Sequence, residues 1–307
     1  MAWTNKIYTG DCLYILNGFE DNSVDLIYLD PPFNSNKNFS APIGSSAAGS
    51  SFDDMWSWKD VDLEYLNELI EDYPYMVNMI QTIDVIHSKS MKSYITYMAQ
   101  RIIQMKRVLK ETGSFYLHCD PTASHYLKLI CDRIFGKQNF KNELIWKRSH
   151  AHNSARKFGP IHDVILYYSF KNSVWNNVFQ DYDYDYKKKY FKFDDNDGRG
   201  RYWTGDLTGS GTSDGSSGNA WRGFDPTEKG RHWAYVPKKL DELDNDNRIY
   251  WPPTKGAFPK LKRYLNEAKG VRAQDLILDV PGLSKMSKNN KEATGYPTQK
   301  PVDLIKK

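Results

Sequence analysis

The feature that most narrows the fold is a short hydrophobic run with an abrupt stop. Val24-Asp25-Leu26-Ile27-Tyr28-Leu29 is mostly β-branched, aromatic or leucine, follows the turn-like Glu20-Asp21-Asn22-Ser23, and ends at Asp30-Pro31-Pro32-Phe33. A run of this length bounded by turn residues predicts a buried strand that delivers Asp30 to its C-terminal edge. Two consecutive prolines remove two backbone N–H donors and hold the chain extended, leaving the carbonyls of Asp30 and Pro31 free to accept hydrogen bonds. As a bare tetrapeptide the same residues can simply end a strand, so their meaning depends on what surrounds them.

The surroundings alternate strand with helix. Between Ser93 and Lys110, Ile95, Met98, Ile102, Met105 and Leu109 recur at steps of three and four. That spacing predicts an amphipathic helix with Arg101, Lys106, Arg107 and Lys110 on its other faces and Gly113 as a stop. Ser114-Phe115-Tyr116-Leu117-His118 reads as a second strand, Ser124 to Phe135 as a second helix, and Asp163-Val164-Ile165-Leu166-Tyr167-Tyr168 as a third strand. Such a rhythm predicts an α/β domain with a largely parallel sheet. Gly44 to Ser51, built of Gly, Ser and Ala, predicts a mobile surface loop.

With 307 residues, 40% of them hydrophobic, the chain can bury one large core or two modest ones. No run reaches the ~18 to 20 apolar residues of a membrane span, and the N-terminus lacks a signal pattern, so a soluble, cytosolic protein is expected. Three cysteines without a C-x-x-C pair indicate neither a disulfide framework nor a thiolate metal site. The formal charge of +4 is too small to identify a polyanionic partner, but its distribution is uneven. Residues 146 to 260 hold 22 of the 44 aromatic residues, with 19 Lys and Arg against 15 Asp and Glu, so the whole excess of positive charge lies there. That segment reads as a separate small domain or a long insertion.

Four motifs in one order give the chain a family likeness. They are Thr9-Gly10-Asp11-Cys12-Leu13, then Asn22 through Phe33, then Gly113-Ser114-Phe115-Tyr116-Leu117-His118-Cys119-Asp120, and finally Tyr296-Pro297-Thr298-Gln299-Lys300-Pro301. Together they resemble the S-adenosylmethionine-dependent amino-group DNA methyltransferases, the N6-adenine and N4-cytosine enzymes that carry Asp-Pro-Pro followed by an aromatic residue. The order resembles the β class of these permuted enzymes. The resemblance implies a Rossmann-like α/β methyltransferase sheet, permuted and C-terminally incomplete, with an inserted target-recognition region. Its domains would be 1–145 as catalytic lobe, 146–260 as the DNA-binding recognition region, and 261–307 as a return to the lobe.

The resemblance also implies roles. Asp30 and the Pro31 carbonyl would hold the target amino group, with Pro32 part of the same catalytic motif and Phe33 stacking on a base flipped out of the duplex. Asp11, Cys12, Asp30, His118, Thr298, Gln299, Lys300 and Pro301 would lie beside S-adenosylmethionine. In the recognition region, Lys147, Arg148, Arg156 and Lys157, near His150 and His152, suit phosphate contacts to double-stranded DNA. Arg199, Arg201, Arg222 and Arg231 interleave with Trp203, Trp221 and Trp233 and join that set. The bland alternative for each of these cations is a solvated basic face over an aromatic core.

One departure from the family stands out. Its glycine-rich cofactor motif, approximately Asp-Pro-Phe-x-Gly-x-Gly-Thr, is missing. Gly209-Ser210-Gly211-Thr212 resembles its end but follows Tyr202 to Thr208, where no strand is expected, and it falls at the wrong place in the order. These four residues are therefore assigned to a loop. Thr298 is a plausible N-cap, with Pro301 in the first turn of a helix that the sequence leaves ~10 Å long, so a further segment or partner chain is expected to follow. The reading is a methyltransferase acting on adenine N6 first and cytosine N4 second. The alternative is a non-catalytic DNA-binding fragment or one half of a split enzyme.

Overall fold

The computed structural model describes residues 5–149, 156–283 and 291–307; His150 and His152 lie outside them. The chain forms two compact units, Met1–Asn176 with Gln274–Lys307, and Asn177–Ala273. The expected boundary at residue 146 cuts through a strand of the first unit, so residues 146–176 belong with the sheet and the second unit starts 31 residues later than expected.

The first unit opens with α1 (Cys12–Leu16) and β1 (Val24–Leu29), followed by the hairpin β2 (Lys37–Ser40) and β3 (Ser51–Asp54). Helices α2 (Leu63–Asp72), α3 (Pro74–Ile86) and α4 (Lys89–Val108) lead into β4 (Leu109–Cys119), and α5 (Ser124–Cys131) leads into β5 (Phe140–Lys147) and β6 (His162–Ser169). Asp62 caps α2 through its carboxylate, Pro74 occupies the first turn of α3, and the Ser88 hydroxyl accepts from the Met91 amide at the start of α4. Each device satisfies, or dispenses with, an amide that has no intrahelical partner.

Among the described residues the main sheet has the order β1-β4-β6-β5 and then the short strand Leu276–Ile277. The sheet is mixed, not largely parallel. β1 and β4 run parallel, as do β5 and Leu276–Ile277, but β6 is antiparallel to both of its neighbours. Lys147 pairs with His162, so the chain returns directly beside β5 and needs no crossover helix there. Gly113 does not end a helix; α4 stops at Val108, and Gly113 sits within β4, where the register with β1 shifts between Leu109 and Ser114.

Strand alternation sorts the core into two faces. Phe115, Leu117, Cys119, Val164, Leu166 and Tyr168 pack with Ile80, Ile83, Tyr94, Ile95, Met98 and Ile102 of the helices. Each such side chain contributes about 1.5–3 kcal/mol of burial. Arg101 does not lie on an outer face of α4: it is buried. The opposite sheet face carries Tyr28, Tyr116, His118, Asp163, Ile165 and Trp146, and Ile277, Val280 and Leu304 cover part of it. Gly44 to Ser51 is a turned connection between β2 and β3, pinned where the Ala47 amide donates to the Thr294 carbonyl.

The second unit is built from short antiparallel pieces. β8 (Tyr202–Asp206) pairs with β12 (Lys260–Tyr264), which pairs with β11 (Ile249–Tyr250). Two ribbons join β7 (Phe179–Gln180) to β13 (Val271–Arg272) and β9 (Thr208–Ser210) to β10 (Arg231–Trp233), and α6 (Tyr184–Tyr190) and α7 (Pro237–Asn245) complete the unit. Contrary to expectation, a strand does precede Gly209, and Gly209 and Ser210 are themselves in a strand. Their pairing is antiparallel within this unit, so no strand-to-helix phosphate loop forms there. Leu207, Trp221, Trp233, Leu240, Ile249 and Leu261 form the core. Both buried indoles place their N–H on oxygens, Trp221 on Asp241 at 2.9 Å and Trp233 on the Asn219 carbonyl at 3.0 Å.

Candidate active site

β1 carries Asp30 to its end, and the following loop is held open by a buried carboxylate. Asp54, at the end of β3, accepts the amides of Asn34 at 2.7 Å and Ser35 at 2.8 Å, and the Trp56 indole N–H at 3.3 Å. Asn34 and Asn36 adopt left-handed φ values of 60° and 56°, a conformation asparagine tolerates better than most residues. Ser90, on α4, donates to Asn34 Oδ1 at 2.9 Å. The loop that follows Asp-Pro-Pro-Phe is thereby fixed from outside by residues that the motif does not announce.

Asp30, Pro31, Pro32 and Phe33 line a cavity of about 290 Å³. Its far wall is a stack of Phe39 on Phe52, with centroids 5.0 Å apart, and of Phe52 on Tyr296, 6.1 Å apart. Thr298, Lys300, Ser35 and Asp54 complete the lining. Lys300 places its ammonium 2.9 Å from each oxygen of Asp30 and 5.0 Å from the Phe33 ring centroid. The Lys300 side chain is 11% exposed and that of Asp30 30%. Ser35 Oγ is buried and has no hydrogen-bond partner among the described residues. A second cavity of about 360 Å³, lined by Asn22, Lys106, Glu111 and Lys171 among others, includes Asn22 alone of the motif residues and none of Asp30 to Phe33.

The residues nominated for the cofactor separate into two groups. Thr298 and Lys300 join Asp30 at the cavity. Asp11 does not: it caps α1 through the Leu13 amide at 2.9 Å and pairs with buried Arg101, which contacts it through both Nε and a terminal nitrogen. Cys12 packs half-buried against the helical core, where burial pushes its thiol above the ordinary value and Arg101 partly offsets that push. Gln299 is spent on its own loop, accepting from Thr294 and donating to the Glu292 carbonyl. Pro301, not Thr298, is the N-cap of the terminal helix Val302–Lys306. His118 is wholly buried, with Nδ1 2.7 Å from the Tyr28 hydroxyl and Nε2 3.1 Å from Asp163. Both ring nitrogens are committed, so neither is free to hydrogen-bond a cofactor.

The nominated cations divide in the same way. In the first unit, Arg148 binds Asp163 at 2.7 Å, whereas Lys147, Arg156 and Lys157 have no ion pair among the described residues. In the second unit, Arg199 binds Asp246, Arg222 binds Asp244, and Arg231 donates to Thr208 through Nε and a terminal nitrogen. Arg201 is exposed and has no ion pair among the described residues. Sequence reasoning missed Asp54, Ser35, Phe39 and Phe52. Phe39 and Phe52 stand alone in four-residue segments on either side of the Gly- and Ser-rich stretch, too short to show a period, and Ser35 and Asp54 carry no signal of their own.

An acidic residue and two prolines at the end of a parallel strand, facing an aromatic-walled cavity, mark an α/β protein with a candidate ligand site beyond its strand ends. The N6/N4 methyltransferase family model, described as DNA methylase, matches residues 24–307, and the chain belongs to that family. It is similar to the type II methyltransferase M.EcaI of Enterobacter cloacae, 28% identical over 289 residues that cover 94% of this chain and 54% of that protein. It is also similar to the Mod subunit of the type III restriction-modification enzyme StyLTI of Salmonella typhimurium, 26% identical over 99% of this chain and 45% of that protein. Among solved structures, the PvuII cytosine-N4-specific DNA methyltransferase matches 54% of this chain and 49% of its own at 14% identity and a TM-score of 0.31. The chain spans about half the length of the relatives it matches.

Proposed function

We propose that the protein transfers a methyl group from S-adenosylmethionine to the exocyclic amino group of a flipped DNA base, adenine N6 first and cytosine N4 second. The observation that carries this reading is the placement of the Asp30 carboxylate and Pro31 at an aromatic-walled cavity. An exocyclic –NH2 has two hydrogens to give. An ionised carboxylate offers about four lone-pair positions, so the two contacts from Lys300 leave room for an incoming N–H on Asp30. With one hydrogen on Asp30 and one on the Pro31 carbonyl, the amino nitrogen is held with its lone pair aimed out of the ring plane. Phe33 supplies the stacking surface, and stacking with edge hydrogen bonds offsets the few kcal/mol of unstacking.

Asp30, Thr298 and Lys300 are the nominated polar groups that reach the cavity, and they fit a ligand that carries both charges; these are the residues that would hold S-adenosylmethionine. When bound, that cofactor supplies an electrophilic methyl group. Lys147, Arg156, Lys157 and Arg201 are the nominated cations with charge to spare for phosphate, which supports positioning on DNA more than base readout. The aromatic, Arg-rich 177–273 unit supports a recognition role. Substitution Asp30→Ala is the test, with tritiated-methyl transfer to unmethylated genomic DNA as the measurement. Transfer is expected to be abolished with DNA binding intact, and retained transfer would overturn the assignment of Asp30.

A further inference from the structure

On the sheet face opposite the helices, a line of buried polar groups runs toward the cavity. Tyr28 pairs with Tyr116 across β1 and β4, and His118 lies two residues further along on the same face. His118 faces Ile165 of β6 in register, which places Asp163 as its diagonal neighbour. The Tyr28 hydroxyl meets His118 Nδ1 at 2.7 Å, Asp163 Oδ2 meets Nε2 at 3.1 Å, and Asp163 Oδ1 meets Arg148 Nε at 2.7 Å. The Asp163 side chain is 6% exposed and that of Arg148 42%, so the line begins in the interior and ends at the surface. The His118 ring faces Phe33 with centroids 5.5 Å apart and planes 31° apart, and Trp146 meets it edge-on at 5.7 Å.

We propose that His118 is a positioning residue: locked between Tyr28 and Asp163 as its Nε2–H tautomer, it forms the wall that fixes the plane of Phe33, on which the target base stacks. The inference rests on the amino-methyltransferase reading of the site. The Asp163 carboxylate, paired with Arg148, can only accept at Nε2, which leaves Nδ1 of the neutral ring as an acceptor for the Tyr28 hydroxyl, whose proton burial helps to hold in place. Nε2–H is then left to donate to Asp163, whose second oxygen is held by Arg148. A ring tied at both nitrogens cannot turn about its Cβ–Cγ bond. Asp54 fixes the backbone of the loop after Phe33 but does nothing for the torsion of the ring itself. The His118 face is what selects one ring plane.

Two conservative variants of the full chain test this. Tyr28→Phe keeps the ring and removes the donor; His118→Gln keeps hydrogen-bonding capacity and removes the flat face. Both are followed by NMR of ¹³C-labelled phenylalanine, with Phe33 assigned by Phe33→Leu, and by methyl transfer from tritiated S-adenosylmethionine to unmethylated genomic DNA. The expected result is displaced and averaged Phe33 ring signals, with kcat falling about 10- to 100-fold and KM for S-adenosylmethionine within about twofold. Unchanged Phe33 signals in the folded variants would overturn the proposal, as would a raised KM at constant kcat, which would make His118 a cofactor contact. If His118→Gln does not fold, Tyr28→Phe decides alone. Should even the unsubstituted chain transfer no methyl group while the Phe33 signals respond as expected, the positioning role stands and the methyltransferase reading falls.

Discussion

The two units solve the same problem with different materials. In the first, a 20-residue helix and a five-stranded sheet bury aliphatic and aromatic side chains on one continuous face, and the few charged groups inside it, Asp54, Arg101 and Asp163, each have their own partners. In the second, strands of two to five residues surround a core rich in tryptophan, and arginines and lysines stitch the periphery. Regular elements give the first unit places rigid enough to aim Asp30 and Phe33. The second unit, with Arg199, Arg222 and Arg248 paired to carboxylates, spends part of its charge on its own fold.

The largest effect that could break this contrast is expected from Trp233→Ala. Trp233 is almost wholly buried and packs against Trp221 and Phe258. Truncation of such a residue costs about 3–5 kcal/mol, a large share of a small unit's stability. Limited proteolysis with mass spectrometry should then cleave within 177–273 while the sheet unit stays intact. Coincident loss of both would show one cooperative structure where two are expected. The reciprocal change, Ile102→Ala in α4, should cost about 2–5 kcal/mol and expose the first unit first.

Much of the first unit was legible in the sequence, and the reasons are physical. Ile95, Met98, Ile102 and Met105 mark α4 because one helix face meets one core, and Val24 to Leu29 is compact enough to be read as a strand, although not as the buried one expected: among the described residues it ends the sheet, and Leu26 is 57% exposed. Asp30 to Phe33 could be placed at a strand end because proline stops pairing wherever it falls. The antiparallel course of β6 was not legible, since a buried strand looks the same in either direction. Nor was the fate of Asp11, Gln299 and His118: a motif names residue types, whereas Arg101, Thr294 and Asp163, distant in sequence, decide which of their atoms remain free. The second unit was harder still, because two- and three-residue strands carry too few positions to show a period.

A middle-sized effect probes the stitching itself. Lys262, 6% exposed, places its ammonium 2.6 Å from Asp195 and 3.0 Å from Asn247, while the Tyr202 hydroxyl donates to the other Asp195 oxygen at 2.7 Å. Burial pushes the Asp195 carboxyl up, but the bonds from Lys262 and Tyr202 outweigh it and hold the group below its ordinary value. A carboxyl depressed on folding contributes stability that is present above its unfolded value, near pH 3.9, and is lost as pH falls through the folded value. Asp195→Asn should therefore flatten the acid limb of the second unit's stability curve, and Lys262→Met should cost about 1.5–3 kcal/mol at neutral pH. An unchanged acid limb in urea titrations between pH 2 and pH 6 would remove Asp195 from the account.

The smallest effects sharpen the division between spent and available charge. Arg222 contacts Asp244, lies 3.6 Å from Asp241 and has its guanidinium 5.2 Å from the Trp221 ring, so Arg222→Ala should cost about 0.2–1 kcal/mol and leave the salt dependence of DNA binding nearly unchanged. Arg201 offers the opposite case. Its carbonyl accepts the Leu265 amide at 2.9 Å, but its side chain is exposed and has no ion pair among the described residues. Arg201→Ala should leave stability within about 0.5 kcal/mol. If its guanidinium meets a phosphate, the slope of log affinity against log salt should fall by about 0.9. Fluorescence-anisotropy titrations of both variants at several salt concentrations measure this directly. A slope change in Arg222→Ala that matches or exceeds that in Arg201→Ala would mean that the ion pairs with Asp241 and Asp244 open on DNA, and that charge spent on the fold is still available for binding.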